Sequence, residues 1–267
     1  MHRFLEEILA RRRVRIDEIR SSMTEPLDEP GAGASPPENP AASLRAGTGL
    51  IVAEVKRASP SKGPIAPEAD ASERARAYER GGAGAVSVLC EPDFFGGSRR
   101  DVHDASAAVS VPVLCKDFIL DPIQLRMARA DGARWVLLIA RILGPDLRAM
   151  ILEALATGLE PLVEVHSEEE MADAVSAGAR LLGMNARDLD TFMVDLDLVK
   201  RLAGLCPPDR ACIAESGIRG VEDLLDLRAA GAHGFLIGET LMRLRDPVPL
   251  LHQFRQALDK HSAGARP

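Results

Sequence analysis

The sequence predicts an α/β protein, a (β/α)8 TIM barrel with an N-terminal helical extension. Three observations carry this. Short apolar runs alternate with helix-like segments from Leu50 onward, which calls for a parallel sheet covered by helices. A Gly-Ala pair recurs about every 50 residues, the length of two strand-helix units. The 267 residues match one closed barrel, a fold of about 250 residues, better than two separate domains.

The elements follow in order. Residues 3 to 20 read as an amphipathic helix, because Phe4, Leu5, Ile8, Leu9, Ile16 and Ile19 recur at helical intervals with Arg and Glu between them. Residues 24 to 40 hold Pro26, Pro30, Gly31, Gly33, Pro36, Pro37 and Pro40 and read as a flexible connector. Residues 1–48 are therefore expected to form an extension and residues 49–260 the catalytic barrel. Strands are expected near 50–55, 84–89, 112–115, 135–140, 161–165, 181–184, 211–214 and 234–237. The pairs Gly82-Ala83, Gly132-Ala133, Gly178-Ala179 and Gly231-Ala232 stand before the even-numbered strands, where each glycine caps the preceding helix.

Composition narrows the function. A net charge of -7, with one Trp and one Tyr, argues against a nucleic-acid binder. No apolar stretch approaches the roughly 20 residues of a bilayer span, and the start is rich in Arg and Glu, unlike a signal peptide. A soluble, cytoplasmic protein is expected, with no membrane partner. Cys90, Cys115, Cys206 and Cys212 lack C-x-x-C spacing, and the histidines lack H-x-x-x-H spacing, so buried free thiols and no metal are expected.

The C-terminal strand ends of such a barrel converge on one mouth, and the residues there are chemically coherent. The first strand ends in Glu54 and Lys56, and the second in Glu91 followed by Phe94-Phe95-Gly96-Gly97-Ser98. Lys116-Asp117-Phe118 follow the third, Arg141 the fourth and Glu164 the fifth. Asn185 and Arg187, then Glu215-Ser216-Gly217, then Gly238-Glu239 follow the last three. Carboxylates and lysines crowded together shift one another's pKa values, the condition that acid–base catalysis uses. Glycines after the last two strands, Gly217 and Gly238, fit the barrel position where backbone N–H groups take a phosphate. Glu239 is the odd member, since a carboxylate beside a phosphate must point away.

These residues carry a family resemblance. AEVKRASPSKG at 53–63, the FFGGS loop, VLCKDFILD at 113–121, VEVHSEEE at 163–170, GMNARDL at 183–189, AESGI at 214–218 and FLIGETLM at 235–242 resemble indole-3-glycerol-phosphate synthase of tryptophan biosynthesis. The resemblance covers roughly residues 38 to 258. It implies a lyase that converts 1-(2-carboxyphenylamino)-1-deoxyribulose 5-phosphate to indole-3-glycerol phosphate with loss of CO2 and water, needing no cofactor. It implies Lys116 as general acid, its pKa lowered by Phe118 and neighbouring cations, Glu164 as base, Lys56 as holder of the substrate carboxylate and Glu54 as its orienting partner. By the same resemblance Asn185, Arg187, Glu215 and Ser216 bind substrate, Phe95 and Phe118 wall the anthranilate ring, and Ser59, Gly217 and Gly238 receive the phosphate. The partner is a small sugar phosphate, and contact with other enzymes of the tryptophan pathway stays open. Phe94 is expected against the barrel side.

Two other readings compete. Phosphoribosylanthranilate isomerase shares the fold but uses a Cys/Asp pair, and AEVKRASPSKG has no place there. A catalytically silent barrel is the other, against which stands the cost of so many unneeded buried charges. Ala186, Arg134 and Trp135 depart from the family pattern; Ala186 costs one side-chain hydrogen bond.

Overall fold

The computed structural model describes residues 3–22 and 37–264, so most of the connector expected at 24–40 lies outside the described residues. Helices α1 (Arg3–Ser22) and α2 (Ala41–Ala46) precede β1 (Leu50–Val55). A small hairpin of β2 (Ala58–Ser59) and β3 (Gly63–Pro64) fills the next loop, and α3 (Ala71–Arg80) leads to β4 (Ala85–Leu89). Then come α4 (Pro92–Phe95), α5 (Arg99–Ala108), β5 (Val113–Lys116), α6 (Pro122–Ala130) and β6 (Trp135–Ile139). α7 (Ala140–Leu143) and α8 (Leu147–Ala156) precede β7 (Glu160–Val165), and α9 (Glu168–Ala177) precedes β8 (Leu181–Asn185). The chain ends through α10 (Leu196–Gly204), β9 (Ala211–Glu215), α11 (Val221–Ala229), β10 (Gly234–Ile237), α12 (Glu239–Met242) and α13 (Val248–Gly264). β1 and β4 to β10 pair in parallel as a closed barrel, with β1 seated between β10 and β4. All of the expected barrel strands form, within a residue or so of their expected bounds, whereas the hairpin of β2 and β3 and the helix α2 were not anticipated.

Strand periodicity explains why the site sits where it does. Alternate residues of a strand face opposite sides. Val52, Leu114, Leu162, Leu181 and Ile213 belong to one buried cluster inside the barrel, and their neighbours Ile51, Val113, Val163, Leu182 and Cys212 to another beneath the helices. Continuing the interior parity to the strand ends gives Glu54, Lys116, Glu164, Asn185 and Glu215. Apart from Ser87 in β4 and Glu160 at the start of β7, the strands are apolar on both faces until this last layer, as a helix-covered parallel sheet requires. Trp135 joins the interior cluster, and Ala186 packs in the outer one.

The two N-terminal helices close opposite ends of the barrel. Leu5, Ile8 and Leu9 of α1 join the interior cluster with Phe118, which lays α1 across the mouth. Arg12–Asp117 at 2.5 Å, Arg15–Asp93 at 2.6 Å and Arg20–Asp121 at 2.5 Å tie the helix to the strand ends. Ala41 of α2 reaches the same cluster from the floor, where Arg45 donates to the carbonyls of Pro207 and Arg210. The exposed pairs contribute little, but Arg12 and Asp117 are both buried, and removing one partner of such a pair strands a charge.

Burial pushes the Asp117 carboxyl up to about 6, with Arg12 pulling against it. A raised folded pKa favours folding below the ordinary Asp range and loses that contribution as pH climbs through the folded value. Arg12→Met removes the opposing charge, so urea denaturation should show a loss of about 3–5 kcal/mol near pH 7.5 and a smaller one near pH 5. Equal losses at both would disconnect Asp117 from the docking of α1.

Candidate active site

A cavity of about 1210 Å³ opens at the C-terminal mouth of the barrel. Glu54, Lys56, Ser59, Phe95, Lys116, Phe118, Glu164, Asn185, Arg187, Glu215, Ser216, Gly217 and Gly238 all line it. The strand ends thus bring together every residue that the sequence singled out as a candidate. Phe4, Leu5 and Ile8 of α1 complete the wall.

The charged groups form a triad and a pair. Lys116 Nζ donates to Glu164 Oε2 and to Glu215 Oε2, each at 3.1 Å, and Lys56 Nζ lies 2.9 Å from Glu54 Oε1. Burial alone would lower the Lys116 pKa, but Glu164, Glu215 and Glu54 outweigh it and hold the ammonium well above its ordinary range. This corrects the expectation of a lysine flanked by cations and lowered. The lysine is flanked by carboxylates, because interior parity sends Lys116, Glu164 and Glu215 into one space.

The two carboxylates diverge. Burial would raise Glu164, yet Lys116 and His166 bring it below the usual carboxylate range. Burial pushes Glu215 up to about 7, against the pull of Lys116 and with the negative charge of Glu164 adding to the rise. Glu54 Oε2 and Glu215 Oε1 are buried with no hydrogen-bond partner among the described residues, so both keep an acceptor for a donor entering the cavity.

Two interior glycines make room for these side chains. A Cβ at Gly183 would stand 2.1 Å from Glu215 Oε1, and one at Gly238 would stand 2.4 Å from Glu54 Oε1. The space that Gly238 keeps therefore belongs to Glu54 as well as to any ligand at that loop.

The remaining lining divides into an apolar side and a polar side. Phe95 and Phe118 lie with ring centroids 6.3 Å apart, tilted by 40°. Opposite them, Ser216 and Gly217 both hold positive φ, at 67° and 80°, and Thr240 Oγ1 donates to the Ile218 carbonyl at 2.7 Å, joining the last two loops. Asn185 Oδ1 accepts from the Arg187 amide at 2.9 Å, while Arg187 Nη1 donates to the Phe192 carbonyl at 3.0 Å and bonds Ser61 Oγ at 3.4 Å. Arg187 thus braces the loop after β8 against the loop after β1. Glu239 also lines the cavity, where Arg243 pairs with it at 2.8 Å and offsets its charge.

Several strand-end residues serve elsewhere. Glu91 accepts from the backbone amides of Asp93, Phe94 and Phe95 as the N-cap of α4, so it holds the loop and does not enter the mouth. Phe94 packs edge-on against Phe4 at 5.0 Å, beneath Arg11, and so meets α1 where the barrel side was expected. Arg141 pairs with Asp190 in the loop after β8. Sequence reading gave no role to His166, whose Nε2 lies 3.4 Å from Glu164 Oε1 and whose Nδ1 lies 3.4 Å from Glu170 Oε2. The signal was in VEVHSEEE, where a histidine two residues past Glu164 shares its parity.

The fold and the mouth define a (β/α)8 barrel whose C-terminal end gathers paired lysines and glutamates beside aromatic rings and glycine-bearing loops. The chain belongs to the indole-3-glycerol phosphate synthase family, whose family model matches residues 5–254. An indole-3-glycerol phosphate synthase of Mycolicibacterium vanbaalenii is 46% identical over 94% of this chain and 90% of its own length. Indole-3-glycerol phosphate synthase 1 of Streptomyces coelicolor is 44% identical over 87% of this chain and 90% of its own length. Among solved structures, a thiamine phosphate pyrophosphorylase from Pyrococcus furiosus aligns with a TM-score of 0.61 at 18% identity, over 81% of this chain and 98% of that one, a likeness of fold alone.

The raised pKa of Glu215 has a measurable consequence. Its contribution to stability is present below the ordinary Glu range and lost as pH rises through about 7. Glu215→Gln removes that titration and can still accept from Lys116, so its thermal midpoint relative to the parent should climb between pH 5 and pH 8.5. A flat or falling difference would mean that Glu215 is ionised throughout.

Proposed function

We propose that this protein converts 1-(2-carboxyphenylamino)-1-deoxyribulose 5-phosphate to indole-3-glycerol phosphate, CO2 and water, as a carboxy-lyase of tryptophan biosynthesis. The observation that carries the reading is Lys116 held between Glu164 and Glu215, at 3.1 Å from each, at the foot of a mouth with one apolar and one polar side. Family membership supports the same reaction.

The chemistry assigns a task to each group. The ring carbon bearing the carboxylate attacks the ketone carbon, and the ketone oxygen takes a proton from Lys116. The flanking carboxylates keep Lys116 protonated at neutral pH, so the acid is in place before substrate arrives. Lys56, oriented by Glu54, holds the substrate carboxylate until the C–C bond breaks, CO2 leaves and the electron pair restores the aromatic ring. Dehydration then needs a proton delivered to the departing hydroxyl and another taken from the new ring. Lys116, reprotonated from solvent after ring closure, gives the first, and Glu164, ionised by its neighbours, takes the second. The sequence of steps balances without an oxidant or a carrier group, so no cofactor enters the proposal.

Binding roles follow from position. Phe95 and Phe118 wall the anthranilate ring, and excluding water there strengthens each charge contact. Asn185 and Ser216 meet the sugar hydroxyls, Arg187 supports their loop, and Glu215 offers its unpaired oxygen to the intermediate. Ser59, Gly217 and Gly238 receive the phosphate, where backbone N–H groups can reach it.

Fluorescence detection of indole-3-glycerol phosphate from the purified chain, without added metal or cofactor, tests the reaction; folded protein with no turnover would refute it. Lys116→Met should abolish turnover and keep its circular dichroism, with a lowered denaturation midpoint because Glu164 and Glu215 lose their counter-ion. Gly238→Ala should lower kcat about tenfold or more besides raising KM, since its Cβ displaces Glu54 from Lys56. A rise in KM with kcat unchanged would restrict Gly238 to the phosphate.

A further inference from the structure

A second cluster of reactive side chains lies at the opposite end of the barrel. Cys206 follows α10, Cys212 is the second residue of β9, and His233 immediately precedes β10, so all three gather at the floor. One donor atom from each lies within 4.8 Å of the other two. Cys212 Sγ stands 3.3 Å from His233 Nδ1, and Cys212 and His233 are buried while Cys206 is half-buried. The spacing of these residues along the chain conceals the group, because neighbouring strands bring it together.

We propose that Cys206, Cys212 and His233 form a binding site for a thiophilic divalent cation, zinc in the first instance, separate from the mouth. Tetrahedral zinc with Zn–S near 2.3 Å and Zn–N near 2.0 Å sets its donor atoms about 3.5–3.8 Å apart, within the span that this cluster already has. The Cys212 amide can only donate, and it meets His233 Nδ1 at 3.2 Å, so Nδ1 is the unprotonated ring nitrogen, and a metal would take over the lone pair that now accepts this N–H. The thiols have weak alternatives: Cys206 Sγ reaches the Arg210 carbonyl at 3.7 Å and Cys212 Sγ the Gly231 carbonyl at 3.6 Å.

Binding forms two metal–sulfur bonds and one metal–nitrogen bond, releases the thiol protons to solvent and involves no change of oxidation state. A bound cation would cross-link the segment after α10 to β9 and β10, beside the Arg45 contacts of α2.

The test uses the full chain, stripped with chelator and titrated with Zn²⁺ by calorimetry and with Co²⁺ by absorbance. One equivalent should bind, with a thiolate-to-cobalt charge-transfer band and a raised thermal midpoint. Cys206→Ser, a change at a half-buried loop position, should weaken binding by about a hundredfold, the scale on which lost ligand-shell residues act, while Cys90→Ser should leave it unchanged. Zn²⁺ should also protect Cys206 of the parent chain from alkylation, a readout that needs no variant. Absence of stoichiometric binding, a cobalt spectrum without thiolate bands, unaltered binding by Cys206→Ser or unprotected Cys206 would each overturn the site.

Discussion

The structure depends on keeping three carboxylates and two ammonium groups inside a barrel that is otherwise apolar. Glu54, Glu164 and Glu215 are almost fully buried, and Lys56 and Lys116 are their nearest cations. Two positive charges against three negative ones leave an excess, and burial, with the charges of Glu164 and Glu54 adding to it, pushes the Glu215 carboxyl up to about 7. A proton can then rest on Glu215 without disturbing Lys116 or Glu164. Space is regulated along with charge: Gly183 and Gly238 are the interior positions where a methyl group would strike Glu215 and Glu54.

Strand parity also links the chemistry to the cover over the mouth. Lys116 and Asp117 are adjacent, so their side chains take different directions although both border the cavity. Lys116 meets Glu164 and Glu215, and Asp117 meets Arg12 of α1. Helix α1 is thereby anchored within one residue of the proposed general acid, while its Phe4, Leu5 and Ile8 line the cavity. Docking of the helix and placement of the lysine share one piece of backbone, and water exclusion over the site depends on both.

Legibility in the sequence tracked the distance over which a cause operates. The barrel strands were readable because apolar runs and turn residues are local, and the candidate residues were readable because each stands at the end of its own run. What stayed hidden depends on neighbours from other strands. The rise of the Lys116 pKa comes from Glu164 and Glu215, 48 and 99 residues away. Gly183 looked like an ordinary strand glycine until Glu215 was placed across from it. Glu91 looked like a mouth residue because its parity is local, but three backbone amides of α4 claim it. The floor cluster escaped for the same reason, since His233 arrives from the strand beside Cys212.

β7 shows how neighbours, and not residue type or burial, decide what a carboxylate does. Glu160 and Glu164 share one strand, one parity and nearly complete burial. Glu160, at the floor, has Arg180 alone as a charged partner, and burial still pushes it up to about 7. Glu164, at the mouth, faces Lys116 and His166 together, and their combined charge overcomes the same desolvation and brings it below the ordinary range. One glutamate is therefore fit to anchor an arginine in the floor, where its charge state matters little to chemistry. The other is kept ionised in the mouth, where the proposed reaction needs a base, and only three residues stand between the two.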